Sequence, residues 1–212
     1  MQALLLDVAD LSVASAQLSS SGPIMVMPAI DRVMAHRAMS LACQRANAQG
    51  LMVVLMDTDR LGFVQVVNKA FKVSKSPWFG YLAQDAFAGR DWMDLALKAL
   101  QQRGAGLLGF NDGKWHGQLA SFGLASRDWI QSVYSEDFFF PGYQRHFADV
   151  ELTLIARQQG AYVYEPNSVL MEVDWDKATS GVNAQDRSLF HARLRQGCGG
   201  RVSDARLLEL FA

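Results

Sequence analysis

Residues 138–172 read FFFPGYQRHFADVELTLIARQQGAYVYEPNSVLME, and their pattern predicts a loop, a helix and a strand in that order. The pair Pro141-Gly142 predicts a turn. Asp149 is typical of the first turn of a helix, and Gly160 is typical of a helix C-terminal end. The residues from Ala161 to Tyr164 alternate small, aromatic and β-branched side chains, which predicts a strand directly after the helix. The apolar side chains of the predicted helix share one face, at Val150, Leu154 and Ile155.

Two carboxylates, Asp149 and Glu151, lie where this helix is predicted to start. Acidic side chains in a first turn stabilise any helix, so a capping role would explain both of them. A loop that delivers two carboxylates to the start of a helix is also a candidate acid–base site, because carboxylates can accept and donate protons. The local pattern leaves both interpretations open.

The composition is typical of a globular domain. The chain has 212 residues, half of them apolar, and a formal net charge of −1. This is enough apolar material for one sizeable core, or for one domain with an appendage. A near-neutral charge gives no electrostatic reason to expect nucleic acid as a partner. Nothing in the sequence indicates an oligomeric state.

The cysteines and the apolar runs bear on the expected compartment. Cys43 and Cys198 have neither metal-ligand nor C-x-x-C spacing, so we expect reduced thiols in a cytoplasm. Apolar runs such as Leu51 to Met56 are much shorter than a transmembrane segment. No basic residue precedes the apolar patch from Ala3 to Leu6, so we expect no secretory signal.

Apolar runs and amphipathic segments alternate through the first half of the chain. The continuously apolar run 51–56 is typical of an interior parallel strand. The alternation predicts an α/β fold with a mostly parallel sheet flanked by helices. The predicted strands are 24–27, 51–56, 78–82 and 107–110, and the predicted helices are 32–49, 62–76 and 91–103.

The chain divides into three predicted segments. Residues 1–22 form a weakly patterned lead-in, for which we expect a short strand or a mobile segment. Residues 23–176 hold the α/β domain. Residues 177–212 form a helical tail, with helices predicted at 186–195 and 203–211, and we expect this tail to act as a packing arm or a lid.

Acidic residues follow three of the predicted strands. In open α/β sheets, ligands bind outside the carboxyl ends of the strands. For any one of these acids a turn or a helix cap would be a sufficient explanation, but together they indicate a binding site at this edge. The acids are Asp31, Asp57, Asp59 and Asp85.

One glycine motif is in the wrong place for a dinucleotide site. Residues 104–109 read GAGLLG and match G-x-G-x-x-G. The nicotinamide or flavin fingerprint follows a strand and opens a helix, whereas this stretch follows a predicted helix and opens a predicted strand. The context therefore argues against a dinucleotide cofactor.

Several features occur in a fixed order between residues 23 and 176. They are Pro28 and Asp31 after the first strand, Asp57 after the second, Asn68 in the next helix, Ala83-Gln84-Asp85 after the third strand, Trp92, and the acidic segment from Phe147 to Leu152 followed by Gly160. This order resembles the nucleotide-sugar glycosyltransferases of the GT-A fold, and it is most similar to family 2. The order and spacing of the features carry the resemblance.

The resemblance implies a GT-A-like, Rossmann-like domain that transfers a sugar from a nucleotide-diphosphate donor, with a UDP-sugar favoured. The acceptor would be a hydroxyl group on a glycan or another molecule, the transfer would invert the sugar, and polysaccharide biosynthesis is the expected context. Asp149 takes the position of the general base that removes the acceptor proton. A helix N-terminus would keep that carboxylate ionised.

The resemblance also assigns contacts to the substrates. Asp85 is implied as the residue that holds Mg²⁺ or Mn²⁺ at the diphosphate, since such cations prefer oxygen ligands. On the acceptor side it implies Glu151 and an aromatic platform for a sugar ring, which would be Trp129 or Trp115. The implied donor contacts are Pro28, Asp31, Asp57, Asn68 and Asp85.

The sequence departs from the family pattern at two places. Gln84 stands where the first acid of the family's DxD motif would be, so only Asp85 remains of that pair. The stretch after the final strand has no histidine to complete a metal site, and Glu172 or Asp174 would have to replace it.

Because of these departures, two other classes of protein function remain possible. The chain could be a nucleotide-sugar binding or scaffold protein that kept the fold without turnover. It could also be a nucleotidyltransferase, although no glycine-rich, basic phosphate loop follows the first strand. Candidate phosphate or sugar-hydroxyl contacts are Arg127, Arg145 and Lys177, for each of which a solvated surface position is the simpler explanation.

Overall fold

A computed structural model describes residues 1–173 and 181–211 of the chain. Its centre is one eight-stranded sheet with the order β1-β3-β2-β4-β7-β6-β8-β5. The strands are β1 (Gln2–Asp7), β2 (Ile24–Ala29), β3 (Leu51–Met56), β4 (Trp78–Tyr81), β5 (Ala86–Ala88), β6 (Leu107–Asn111), β7 (Gly123–Ser126) and β8 (Tyr162–Glu172).

Helices cover both faces of this sheet. The longer ones are α1 (Arg32–Arg45), α2 (Phe63–Val73), α3 (Trp92–Arg103), α4 (Arg127–Tyr134), α5 (Ala148–Gln158) and α6 (Ala184–Arg195). Two short ones follow at the C-terminal end, α7 (Gly197–Gly200) and α8 (Ala205–Glu209). Among the described residues, no helix is long and apolar enough to cross a membrane.

The sheet is mostly parallel, which confirms the predicted α/β fold. β1, β3, β2 and β4 are neighbours in the sheet and run in one direction. β7 is antiparallel to both β4 and β6, so β6 and its parallel neighbour β8 return to the direction of the first four strands. The carboxyl ends of β2, β3 and β4 therefore meet at one edge, as the sequence predicts.

The alternation of side chains along the strands divides the core in two. Every residue of β3 is buried, with Val53 and Leu55 on one face and Met52 and Val54 on the other. The first face packs against α2, α4, α5 and α6 and contains a cluster of aromatic rings. The second face packs against α1 and α3 and is rich in methionine and alanine. Helices on both faces explain why this strand has no polar side.

The N-terminal lead-in and the C-terminal tail both pack against the α/β domain. β1 pairs in register with β3, from Gln2 opposite Leu51 to Asp7 opposite Met56, so residues 2–7 form the edge strand of the sheet. In the tail, α6 buries Phe190 against the aromatic face of the core. The tail is therefore a packing arm in the part of the chain that the structure describes.

Some predicted boundaries differ from the structure. α1 ends at Arg45, four residues before the predicted end at 49, and β8 continues through Glu172 instead of stopping at Tyr164. The strands β5 and β7 have no counterpart in the sequence prediction. They have only three and four residues, which is too short for a period of two to be recognised.

Candidate functional site

A cavity of about 550 Å³ opens at the carboxyl ends of β2, β3 and β4. β2 and β4 pair only as far as Val26 and Tyr81, so the two strands separate beyond that point. Pro28 follows in β2, where it has no N–H to donate to a neighbouring strand, and it lines the cavity. The opening lies where the rule for α/β sheets places a ligand.

Asp149 enters this cavity from the first turn of α5. The helix begins after Phe147, whose φ of +69° is uncommon for a residue with a side chain. The ring of Phe147 stacks on Phe190 of α6, with 4.7 Å between the centroids and 13° between the planes. This contact fixes the direction in which the chain enters α5, and with it the position of the Asp149 carboxyl group.

Burial of the Asp149 side chain raises its pKa to about 6. The N–H groups of Val150 and of Asp149 itself oppose the shift by bonding the carboxylate, while the nearby carboxylates of Glu172 and Asp112 increase it. A carboxyl group with a pKa near 6 is a better proton acceptor than an ordinary aspartate, and it is still largely ionised at neutral pH.

Asp57 lies at the end of β3 and also lines the cavity. It is buried, at 6% exposure, and each carboxylate oxygen accepts a backbone N–H, from Leu61 at 2.8 Å and from Gly62 at 2.9 Å. Gly62 has a φ of +94°, and a Cβ there would lie 2.8 Å from the carbonyl oxygen of Gln144. Asp57 therefore closes a tight loop against the segment that leads to Asp149, and a glycine is required in that loop.

Asp85, directly before β5, and Glu172, the last residue of β8, line the same cavity. Ala86 of β5 lies opposite Glu172 of β8, and the N–H of Val173 donates to the carbonyl of Asp85 at 3.0 Å. Carboxylates that line one cavity are candidate ligands for Mg²⁺ or Mn²⁺, which commonly binds one or two carboxylates and completes its shell with substrate phosphate and water. Within residues 1–173 and 181–211, no group of three acidic, histidine or cysteine ligands is found. Asp174 and Lys177 lie outside the described residues.

Gln84, in place of the missing acid, has a defined structural role. Its side-chain oxygen accepts the N–H of Ile30 at 2.8 Å and the N–H of Asp31 at 2.9 Å. The side chain thus ties the loop after β4 to the loop after β2, and it contributes no negative charge to the cavity. A second metal-binding carboxylate is absent from this position.

Two predicted donor contacts have structural roles instead. Asp31 is the N-cap of α1, accepting the N–H groups of Val33 at 2.9 Å and Met34 at 3.0 Å, and it does not line the cavity. Asn68 is buried in α2, and its side-chain amide bonds the backbone of Phe138 and Phe139 at 2.9–3.1 Å. Neither side chain lines the cavity.

The predicted aromatic platform Trp129 lies at the opposite edge of the sheet. α4 starts after Ser126, and β7 is antiparallel to β4, so Ser126 lies opposite Trp78 at the beginning of β4. There the Trp129 indole donates to Gln159 at 2.8 Å and packs against Gly106. The assignment of Trp129 to the acceptor side is not supported, and Trp115, which does line the cavity, is the better candidate.

Arg127 is anchored at the same opposite edge. Its guanidinium donates to the backbone of Ser76 and Phe71 and to the Ser74 hydroxyl, and it lies 4.2 Å from the centroid of the Phe71 ring. Arg127 therefore stabilises the core, and it does not line the cavity.

Glu151 is a buried link between α5 and the C-terminal arm. Its carboxylate has no exposed surface and pairs with the Arg193 guanidinium, with 2.9 Å between Nε and Oε2. The hydroxyls of Tyr134 and Tyr143 each donate to it at 2.9 Å. The prediction that Glu151 contacts the acceptor is not supported, because the side chain points away from the cavity into the core.

Basic side chains also line the cavity, and most of them were not singled out by the sequence. Arg145, a candidate phosphate contact, is among them. The others are Arg60, which follows Asp57 and Asp59, and Lys114 and His146. Their positions after a strand or before a helix start are the signal that could have found them, since such loops form this edge. Burial and the charge of Arg145 lower the pKa of His146, with Asp186 opposing the shift.

Two solved structures of S. aureus TarS, a glycosyltransferase of the GT-A type, are similar to this chain. A structure of TarS residues 1–349 aligns with a TM-score of 0.52 and 9% identity over 72% of this chain and 60% of that one. A second TarS structure aligns with a TM-score of 0.60 and 7% identity over 90% of this chain and 42% of that one. The likeness shows a GT-A-like fold.

The chain corresponds to between 42% and 60% of the length of these TarS structures. No protein-family model matches the sequence, and no curated protein matches it either.

Proposed function

We propose that this chain transfers a sugar from a nucleotide-diphosphate donor, with a UDP-sugar favoured, to a hydroxyl group of a glycan or other acceptor, and that the transfer inverts the sugar. The observation that carries the proposal is Asp149, a cavity-lining carboxyl group with a pKa raised to about 6. The GT-A-like fold and the position of the cavity at the strand ends support it.

The proposed reaction needs one proton acceptor. The acceptor oxygen forms a bond to the anomeric carbon while the bond from that carbon to the diphosphate breaks on the opposite side of the ring. The acceptor proton goes to the Asp149 carboxylate, and the electron pair of the broken bond leaves with the nucleoside diphosphate. Holding both substrates in line supplies a large further part of the rate.

The donor would lie along the strand ends. In this arrangement Pro28 and Asp57 face the nucleoside, and each oxygen of Asp57 keeps a second lone pair for a ligand N–H. Asp85 and Glu172 would hold a Mg²⁺ or Mn²⁺ ion at the diphosphate. When bound, such an ion stabilises the charge that develops on the leaving group.

Trp115 is proposed on the acceptor side in place of Trp129. It lines the cavity on a loop that is held by Asp112, whose carboxylate accepts the N–H groups of Lys114 and Trp115 at 2.9 Å. Asp112 is itself buried. An indole ring on a fixed loop gives a flat apolar surface, which suits the face of a sugar ring.

The Asp149→Asn substitution tests the proposed base. The amide is nearly isosteric but cannot take the proton, so turnover should fall by about two to four orders of magnitude while nucleotide binding is kept. The remaining rate should also lose the rise with pH through about 6 that we expect for the parent protein. The assay measures transfer from UDP-sugars across an acceptor screen, with donor hydrolysis as a second readout.

Asp128→Asn is the matched control, because Asp128 is also an acidic residue in the first turn of a helix but is exposed and outside the cavity. Its activity should equal that of the parent. Full transfer activity in Asp149→Asn would contradict the proposal.

A second candidate function is nucleotide-sugar binding without turnover. The observation in its favour is Gln84, which is tied to the backbone of Ile30 and Asp31 and replaces a metal-binding acid of the related enzymes. Thermal-shift measurements with nucleotides and nucleotide sugars, with and without Mn²⁺, distinguish a transferase, a non-catalytic binder and a nucleotidyltransferase. Stabilisation by UDP and UDP-sugars with no turnover on any acceptor supports the binder, whereas a response confined to nucleoside triphosphates indicates a nucleotidyltransferase.

A further inference from the structure

Two loops that line the cavity each present an arginine, and the loops are in direct contact. Arg60 comes from the loop after β3, and Arg145 comes from the loop before α5. The N–H of Val64 donates to the carbonyl of Gln144 at 3.1 Å, which joins the loops. The Arg145 side chain passes over Gly62, with its Cγ 3.8 Å from where a Cβ of that glycine would lie. The two guanidinium groups therefore start from adjacent segments of the cavity wall.

A buried carboxylate holds each of these loops through backbone N–H groups. Asp57 accepts the N–H groups that follow Arg60 in the chain, as described above. Asp186 of α6, which is 1% exposed, accepts the N–H groups of Gln144, Arg145 and His146, each at 2.9 Å. The loops are thus fixed without using the arginine side chains.

The charge of the two arginines is not balanced by these acids. The oxygens of Asp57 and Asp186 are directed at backbone amides, and in the ranges 1–173 and 181–211 no ion pair involves Arg60 or Arg145. Both residues are exposed while they line the cavity. Both guanidinium groups are therefore available to an anionic ligand in the cavity, which would be attracted by their charge.

We propose that Arg60 and Arg145 form a binding site for a phosphate-class anion. A guanidinium presents a planar fork of N–H donors that matches phosphate oxygens, and two of them suit a diphosphate. Within the proposed function, the anion is the diphosphate of the nucleotide donor or a phosphate on the acceptor. The site supplies positive charge to the same cavity that Gln84 lines, so part of the phosphate binding does not depend on a metal ion.

The test uses inorganic pyrophosphate as the probe, so it does not depend on the proposed function. Isothermal titration calorimetry at low ionic strength with EDTA compares the parent chain with Arg60→Gln and Arg145→Gln. Each substitution should weaken pyrophosphate binding about tenfold or more, because it removes charge-assisted hydrogen bonds. The salt dependence of binding should also become shallower, since fewer charges take part.

Arg103→Gln is the control, because Arg103 is an exposed arginine at the C-terminal end of α3 and does not line the cavity. It should bind pyrophosphate like the parent. Thermal melting of all variants checks that they fold. If Arg60→Gln and Arg145→Gln bind pyrophosphate as the parent does, or if the parent binds none, the site is excluded, whatever the outcome for Asp149→Asn.

A second pair of titrations identifies the source of the anion. If the arginine variants lose affinity for UDP but keep their affinity for uridine, the site holds the donor diphosphate. If UDP binding is unchanged and only sugar phosphates lose affinity, the site holds a phosphate on the acceptor. Both results support the anion site, and equal losses for UDP and uridine would contradict it.

Discussion

At the scale of single residues, some carboxylates at the cavity hold loops in place, and another is available for chemistry. Asp57 and Asp186 are satisfied by backbone N–H groups and act on the shape of the loops. Asp149 is different, because burial and neighbouring carboxylates raise its pKa to about 6 and make its ionised form costly in the folded protein. A group of this kind is more often kept for chemistry than for stability.

Asp149→Asn should therefore stabilise the fold at neutral pH. The folded pKa of about 6 lies above the ordinary value of 3.8, so the protonated carboxyl group favours the folded state, and this contribution is lost as the pH rises from about 4 through 6. The asparagine variant avoids the loss and should be more stable than the parent by up to about 3 kcal/mol above pH 7, since each pKa unit corresponds to about 1.4 kcal/mol.

Urea unfolding at pH 4.5 and at pH 7.5 measures this difference. The variant should be more stable than the parent by about 1 kcal/mol at the lower pH and by about 3 kcal/mol at the higher one. A variant that is less stable than the parent at pH 7.5 would instead assign Asp149 a capping role in α5.

At the scale of secondary-structure elements, α5 is held between the cavity and the C-terminal arm. Asp149 and Glu151 are two positions apart, which places them on different sides of a helix. One side faces the cavity, and the other forms the buried pair of Glu151 with Arg193 of α6. The helix that carries the proposed base is therefore positioned by an ion pair on its far side.

Glu151→Ala should destabilise the protein by about 3–5 kcal/mol, because it leaves the Arg193 charge partly buried without its partner. Lys98→Ala is the control for loss of an ion pair, since the pair of Lys98 with Asp94 lies on the surface of α3 and should contribute less than about 1 kcal/mol. Chemical denaturation measures both. A loss for Glu151→Ala no larger than that for Lys98→Ala would show that the pair does not hold α5 in place.

The sequence predicts strands and strand ends better than it predicts which side chains reach the cavity. The run 51–56 and the acids Asp57 and Asp85 were found because an apolar run has a clear end. The position of Trp129 away from the cavity could not be predicted, because the direction of β7 depends on its pairing with β4 and β6, which no local pattern records. Glu151 could have been excluded, since helical spacing turns it away from Asp149.

At the scale of the whole molecule, the arm completes the core that the sheet begins. The aromatic side of the core includes Phe190, Leu194, Cys198 and Val202, all from the arm and all buried. The sequence predicts helices in this segment but not their attachment, because their contacts are made with residues about 40 or more positions earlier. The predicted domain limit at 176 lies outside the described residues.

A chain that ends before α6 should lose its fixed tertiary structure. A chain that ends at Asn183 exposes the partners of Phe190 and leaves Glu151 buried without Arg193. We expect helix and strand signals in far-ultraviolet circular dichroism, with loss of the near-ultraviolet signal and binding of a hydrophobic dye. A chain ending at Asp204 is the control, since α8 contains no buried residue, and it should keep the near-ultraviolet signal. A cooperative, native-like melt of the shorter chain would contradict this prediction.

The Asp186 carboxylate accepts the backbone N–H groups of residues 144–146. During synthesis this loop is therefore made before the residue that holds it. A ribosome adds roughly 5–20 residues per second, and Asp186 is made about 40 residues after Gln144. A nascent chain therefore carries the loop of the proposed base for about 2–8 seconds before the residue that fixes it has been made. The strands can pair during that time, whereas the loop is held in place only after the segment with Asp186 has been made.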